Sequence, residues 1–288
     1  MMRLPFVVLS VALVLFLLFP VARASTRIPL VTPSISPLRL AHPLGDAYLL
    51  VPPRCRSAAC SLIVVSHSRG MTAQASFERA HLNTLYSSFT SAGYAVLVSD
   101  DAGARSWGNP QSLSYLGEVH RLATRHFRFS GRTYTFGYSM GGLPALLSAY
   151  RGVFPVHGVM LLDARVNLED AWRSTDHKRR AEIAHAFGIA PTDELPHGFD
   201  PLSDYGEGSR IPMFIAGSPT DRTVPFSSNG ERLYHRDSRT AQVELLRLEG
   251  PHLGGSHWGP EVVGSMVRFV NRLEREYEPL YGDTPEDE

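Results

Sequence analysis

Several things are scarce in this chain, and each scarcity narrows what it can be. It has only two cysteines, Cys55 and Cys60, and one lysine, Lys178, among 28 basic residues; against 28 acidic side chains there is no excess charge of either sign. A balanced chain without a basic stripe has no electrostatic reason to bind nucleic acid or an anionic membrane surface. The lysine deficit carries no functional reading. No internal repeat is visible, and 43% hydrophobic residues with 24 glycines and 21 prolines exclude collagen, coiled coil and a disordered chain. One large globular domain is the natural reading.

The chain also lacks a membrane-length apolar run. Leu4 to Phe19 is free of charge, follows Arg3 and precedes Ala22-Arg23-Ala24. Such a run falls short of the roughly 20 residues a spanning helix needs. A short apolar core behind one positive charge, ending at an A-x-A site, reads as a secretory signal peptide over residues 1 to 24. No cysteine near that site offers a lipid attachment point. The expectation is a secreted or periplasmic protein without stable membrane insertion, an uncleaved anchor being the rival. Removing residues 1 to 24 takes away Arg3 and Arg23 and no acid, so the mature chain stays nearly neutral. In an exported chain the C-x4-C spacing of Cys55 and Cys60 predicts a local disulfide that stiffens the entry to a strand. Two buried free thiols are the alternative, and a zinc site would need further ligands.

Residues 25 to 45 are rich in proline and serine and suit an extended lead-in. Beyond them strand and helix patterns alternate. Residues 62–65, 94–99, 133–136 and 156–162 read as strands buried on both faces, and 77–92, 116–126 and 143–150 as the helices between them. This alternation predicts an α/β fold with a mostly parallel sheet covered by helices on both faces. From about 164 to 210 it is interrupted by an amphipathic segment, 169–187, and a Pro/Gly-rich passage. That stretch reads as an insertion over the carboxyl edge of the sheet, a lid, with the charge run His177-Lys178-Arg179-Arg180 on a solvated helix face. Strands at 212–216 and 243–248 and a helix at 261–277 complete the domain. The acidic tail 278–288 reads as disordered.

Gly137-Tyr138-Ser139-Met140-Gly141-Gly142 follows one of these strands and opens a helix, the context in which a G-x-S-x-G pattern carries chemistry. A sharp strand-to-helix turn leaves no room for Cβ atoms beside Ser139, points its hydroxyl out of the sheet and offers the N–H of Met140 to a developing negative charge. A serine hydroxyl needs a base, and the base needs a carboxylate to fix its tautomer. Asp221 stands in a polar loop directly after strand 212–216, and His252 directly after strand 243–248. Serine, aspartate and histidine, each at the carboxyl end of a separate strand, form a strong constellation.

At these residues the chain resembles the α/β-hydrolase superfamily, over residues 47 to 277. The elbow is similar to those of secreted serine esterases, dienelactone-hydrolase-like enzymes and polyester hydrolases. The resemblance implies a Ser139–His252–Asp221 triad. His257 competes for the base, but the family's spacing favours His252. Asp163, which also ends a strand, could supply the acid in a variant arrangement. The resemblance also implies a second oxyanion donor from the loop after an early strand; in Ser66-His67-Ser68-Arg69-Gly70 the matching donor is the Arg69 N–H, although Ser68 stands where the family's glycine is usual. His67, Asp100 and Asp101 read as structural. The implied activity is hydrolysis of small-molecule or polymer esters through an acyl-enzyme, without metal or organic cofactor. Alternatives are a prolyl-oligopeptidase-like serine peptidase, a lipase or polyester hydrolase, and a non-catalytic hydrolase-like binding protein. Oligomeric state is not readable.

Overall fold

In the computed structural model, residues 35–205 and 209–277 are described. The expected signal peptide and acidic tail lie outside them. The described chain runs β1 (Leu38–Leu40), β2 (Ala47–Leu50), β3 (Cys60–Ser66), α1 (Ala73–Ser76), α2 (Ala80–Ser91), β4 (Ala95–Val98), α3 (Pro110–Ala123), β5 (Phe129–Tyr138), α4 (Gly142–Tyr150), β6 (Gly158–Leu162), α5 (Leu168–Arg173), α6 (His177–Phe187), β7 (Met213–Gly217), α7 (Gly230–Asp237), β8 (Val243–Arg247) and α8 (Pro260–Tyr277). The strands form one sheet in the order β1-β2-β4-β3-β5-β6-β7-β8. From β4 to β8 every pairing is parallel, while β1 pairs with β2, and β2 with β4, antiparallel.

The central strands are apolar without interruption because both of their faces are covered. All residues of β3, β4, β6 and β7 are buried, and alternate side chains serve opposite layers. Ile63 and Val65 of β3 and Met160 of β6 point toward α2 and α8, meeting Leu82, Phe89, Phe269 and Leu273. Leu62 and Val64 point the other way, onto Leu116, Val119, Leu143 and Leu147 of α3 and α4. A third cluster continues this second layer, packing Val159 and Leu161 against Leu233 of α7.

Four local expectations need correction. The lead-in that reads as extended coil holds β1, which pairs Leu40 with Ala47, while Arg39 Nε donates to Asp46 Oδ2 at 2.5 Å. Helix α3 begins at Pro110 rather than 116, because Asn109 caps it by accepting the Ser112 N–H at 2.8 Å and proline suits the first turn. The segment 169–187 is two helices: the backbone is extended at Ser174, and Asp176 opens α6 by accepting the amides of Lys178 and Arg179. Finally, α7 lies between β7 and β8, where the sequence reading has no helix. Cys55 and Cys60 are joined by a disulfide, which ties a short helical turn over Pro53–Arg56 to the first residue of β3.

Candidate active site

Strand β5 ends at Tyr138, and the backbone turns at once into a single helical turn over Ser139–Gly141 and then α4. Ser139 sits at φ +53°, a left-handed conformation that costs a non-glycine residue energy. The two glycines that frame it are required by close approach. A Cβ on Gly137 would stand 2.3 Å from the carbonyl oxygen of Gly141, and one on Gly141 would stand 2.2 Å from that of Ser66. The serine is thereby lifted over the carboxyl edge of the sheet, 8% exposed, with Met140 behind it.

Two loops from neighbouring strands meet this serine. Ser139 Oγ lies 2.9 Å from His252 Nε2, in the loop after β8. His252 Nδ1 lies 2.6 Å from Asp221 Oδ2, in the loop after β7. Asp221 Oδ1 accepts the backbone N–H groups of Thr223 at 2.8 Å and Val224 at 2.9 Å. Burial works to raise the Asp221 pKa, but the His252 hydrogen bond and the two amides outweigh it and hold the carboxyl below its ordinary value. The acid is thus kept ionised and fixes His252 with its Nε2 turned to the serine.

The two alternative residues also come together, but away from the serine. His257 Nδ1 donates to Asp163 Oδ2 at 2.6 Å, and both side chains are wholly buried. His257 Nε2 faces the carbonyl oxygen of Glu249 at 3.0 Å. Both ring nitrogens therefore meet oxygen acceptors, and no lone pair is offered to a serine. Asp163 Oδ2 also accepts the N–H of Leu253 at 2.7 Å, and its Oδ1 that of Ser218 at 3.3 Å. Ligand atoms of Asp163, Asp221 and His252 lie within 4.8 Å of one another. Each is already engaged in these hydrogen bonds, so the cluster suits proton handling rather than a cation.

The loop after β3 borders the same space. Ser68, Arg69 and Gly70 line a cavity of about 340 Å³ together with Ser139, Met140 and His252. His67 is locked by its ring, Nδ1 to the Ser68 carbonyl at 2.9 Å and Nε2 to the Asp100 carbonyl at 3.0 Å. Asp101 accepts the His67 N–H and the hydroxyls of Ser66 and Ser99, and Asp100 accepts the Ala73 N–H. These three side chains hold the loop and do not reach the cavity.

Several lining residues are invisible to sequence reasoning: Arg105, Trp107, Arg165 and Arg179. The charge run on α6 is only partly a solvated face. Arg179 is half-buried at the cavity wall, and the Arg180 guanidinium sits 4.7 Å from the centre of the Trp172 ring. An Asp-capped α6 carried the signal for where the helix starts, but which face docks follows from packing.

Comparison with solved structures agrees with this fold. No protein-family model matches the chain, and no curated protein matches it. Among solved structures, a truncated carbohydrate esterase from gut microbiota superposes with TM-score 0.67 at 13% identity, covering 85% of this chain and 98% of that one. FphF, a fluorophosphonate-binding serine hydrolase of Staphylococcus aureus, superposes with TM-score 0.63 at 13% identity over 83% and 98%. Est1E from Butyrivibrio proteoclasticus gives 0.59 at 16% identity over 83% and 99%. The fold is that of the α/β-hydrolases, as the elbow and the alternation of strands and helices lead one to expect. No helix among the described residues is long and apolar enough to cross a membrane.

Proposed function

We propose that the protein is a secreted serine hydrolase that cleaves carboxylic esters. The observation that carries this reading is the unbroken relay from Ser139 Oγ through the His252 ring to Asp221, with contacts of 2.9 and 2.6 Å on a strained strand-to-helix turn. His252 takes the Ser139 proton as Oγ attacks the ester carbonyl. The N–H groups of Met140 and Arg69 receive the oxyanion, as preorganised donors beside the nucleophile. His252 then protonates the leaving alcohol, and water, activated by the same ring, releases the acid. The segment 164–210, which carries α5 and α6, acts as a lid over the cavity. Removal of residues 1 to 24 releases the mature enzyme.

The test is turnover of p-nitrophenyl esters from acetate to palmitate, with Ser139→Ala beside the wild type. Wild-type activity is expected to fall with chain length, and the variant to fold normally while losing on the order of 10³-fold or more in rate. Activity rising toward palmitate would make the protein a lipase, and cleavage of aminoacyl amides in place of esters a peptidase. A variant as active as wild type would remove Ser139 from the chemistry. No reaction with a fluorophosphonate probe would point to a binding protein.

A further inference from the structure

The cavity beside Ser139 has an unusual charge for a protein with none to spare. Its lining includes four arginines, Arg69, Arg105, Arg165 and Arg179, and no carboxylate. The acids that answer them lie outside this lining. Glu182 is shared by two: Arg69 Nε lies 2.6 Å and Arg105 Nε 3.3 Å from its oxygens. Arg165 donates to Asp170 Oδ2 at 2.7 Å and to the Thr223 carbonyl at 2.9 Å. Arg179 lies 3.5 Å from Asp176. Two guanidiniums on one carboxylate leave a full positive charge at the mouth.

Arg165, Arg179 and Thr223 also line a second cavity of about 590 Å³. That cavity adds Arg222 and Arg232, which are exposed and have no ion pair among the described residues. Its two carboxylates, Glu169 and Asp170, are paired with Arg173 and Arg165, so the five arginines of its lining keep an excess of positive charge, while Trp107, Met140, Val224 and Leu253 give the inner cavity apolar walls. Guanidinium groups match carboxylate, sulfate and phosphate oxygens in fixed, bidentate geometry, and Arg165 is held in place by two partners before any ligand arrives. A groove with an excess of one sign next to apolar walls concentrates ligands of the opposite sign.

On the reading of Ser139 as the nucleophile of an esterase, we infer that the arginine groove selects esters whose acyl or alcohol part carries an anionic group, a carboxylate, sulfate or phosphate, near the scissile bond. The anion rests on the guanidiniums and the apolar portion on Trp107 and Val224, with the carbonyl over Ser139.

Matched substrates test this with the full chain. On the acyl side, mono-p-nitrophenyl adipate is compared with p-nitrophenyl hexanoate; on the alcohol side, para-acetoxybenzoate with its methyl ester. In at least one pair, kcat/KM for the anionic member is expected to exceed the neutral one by about fivefold or more at low salt. High salt should collapse that ratio, since the groove's charges are screened. Arg179→Gln and Arg222→Gln should each lower the same ratio; Arg222 is exposed, so its loss cannot be blamed on folding. The arm that shows the preference tells which side of the ester carries the anion. Neutral esters turned over as well as or better than both anionic ones would overturn the inference and leave the esterase reading standing. Absence of all ester turnover together with absence of fluorophosphonate labelling would remove the esterase reading, and the inference with it.

Discussion

Two Asp–His pairs stand side by side at the carboxyl edge of this sheet, and by their mutual contact they cannot be told apart. Asp221–His252 and Asp163–His257 both join Oδ2 to Nδ1 at 2.6 Å. What separates them is the far nitrogen. His252 turns Nε2 to a serine hydroxyl at the wall of a cavity, while His257 turns it to the Glu249 carbonyl. An aspartate beside a histidine is therefore not a catalytic sign in itself; the acceptor or donor at the other end decides. The buried pair also serves the one at the cavity. Asp163 accepts the N–H of Leu253, the left-handed residue directly after His252, and that of Ser218 in the loop that carries Asp221. One carboxylate thus anchors both loops of the relay.

The sharpest way to break the comparison is to remove each histidine. His252→Ala should cut kcat on the order of 10³-fold or more. It should shift the unfolding free energy by under about 1 kcal/mol, because the ring's place opens to the cavity and water can take over its hydrogen bond to Asp221. His257→Ala should do the reverse. It strips a wholly buried carboxylate of its ring partner, at a cost of about 3–5 kcal/mol, and lowers kcat no more than about a hundredfold through a loosened His252 loop. Urea unfolding and p-nitrophenyl ester kinetics on both variants give the four numbers. Equal kinetic losses would mean that the two pairs share one role.

Sequence and structure part at the same place. Ser139 is legible because a glycine-framed turn between an apolar strand and a helix is a local pattern. His252 and His257 are five residues apart in one loop, and Asp163 and Asp221 end adjacent strands. The spacing implied by the family resemblance favours His252, but which of the two faces the serine follows from where each Nε2 points, and the residues alone do not carry that. The hairpin edge was illegible for a different reason. β1 is three residues long and exposes two of them, too short for an alternation to register. Arg165 and Arg179 are unreadable as cavity residues because the contacts that aim them, Arg165 to Asp170 and the Thr223 carbonyl and Arg179 of α6 to Asp176, form only in the fold. The elements read best were those whose apolar residues repeat over a buried face, such as β3 and α8.

A further distinction concerns acid. The Asp221 carboxyl is held below its ordinary value by His252 and two amides, against its burial. A depressed folded pKa means that the ionised acid contributes stability fully present above the unfolded value of about 3.9. That contribution is lost as pH falls from there through the lower folded value. Wild type should therefore lose stability relative to Asp221→Asn as pH drops below about 4. Unfolding midpoints for both proteins across that range would show it. A difference independent of pH below 4 would mean that the folded carboxyl is not depressed.

The smallest effect sets the buried pair against an ion pair at the surface. Glu182 of α6 joins Arg69 and Arg105, whose side chains are 38% and 61% exposed. In high dielectric such contacts are worth at most about 1 kcal/mol and weaken with salt. Glu182→Gln should thus lower stability by less than a fifth of the largest loss expected for His257→Ala, and high salt should erase the difference from wild type. If Glu182 instead clamps the α6 segment over the cavity, the same variant will leave kcat unchanged while KM rises for every ester, since binding and not chemistry is loosened. A loss of several kcal/mol that persists at high salt would show that the two arginines and Glu182 act as a desolvated unit, of the kind now assigned to Asp163 and His257 alone.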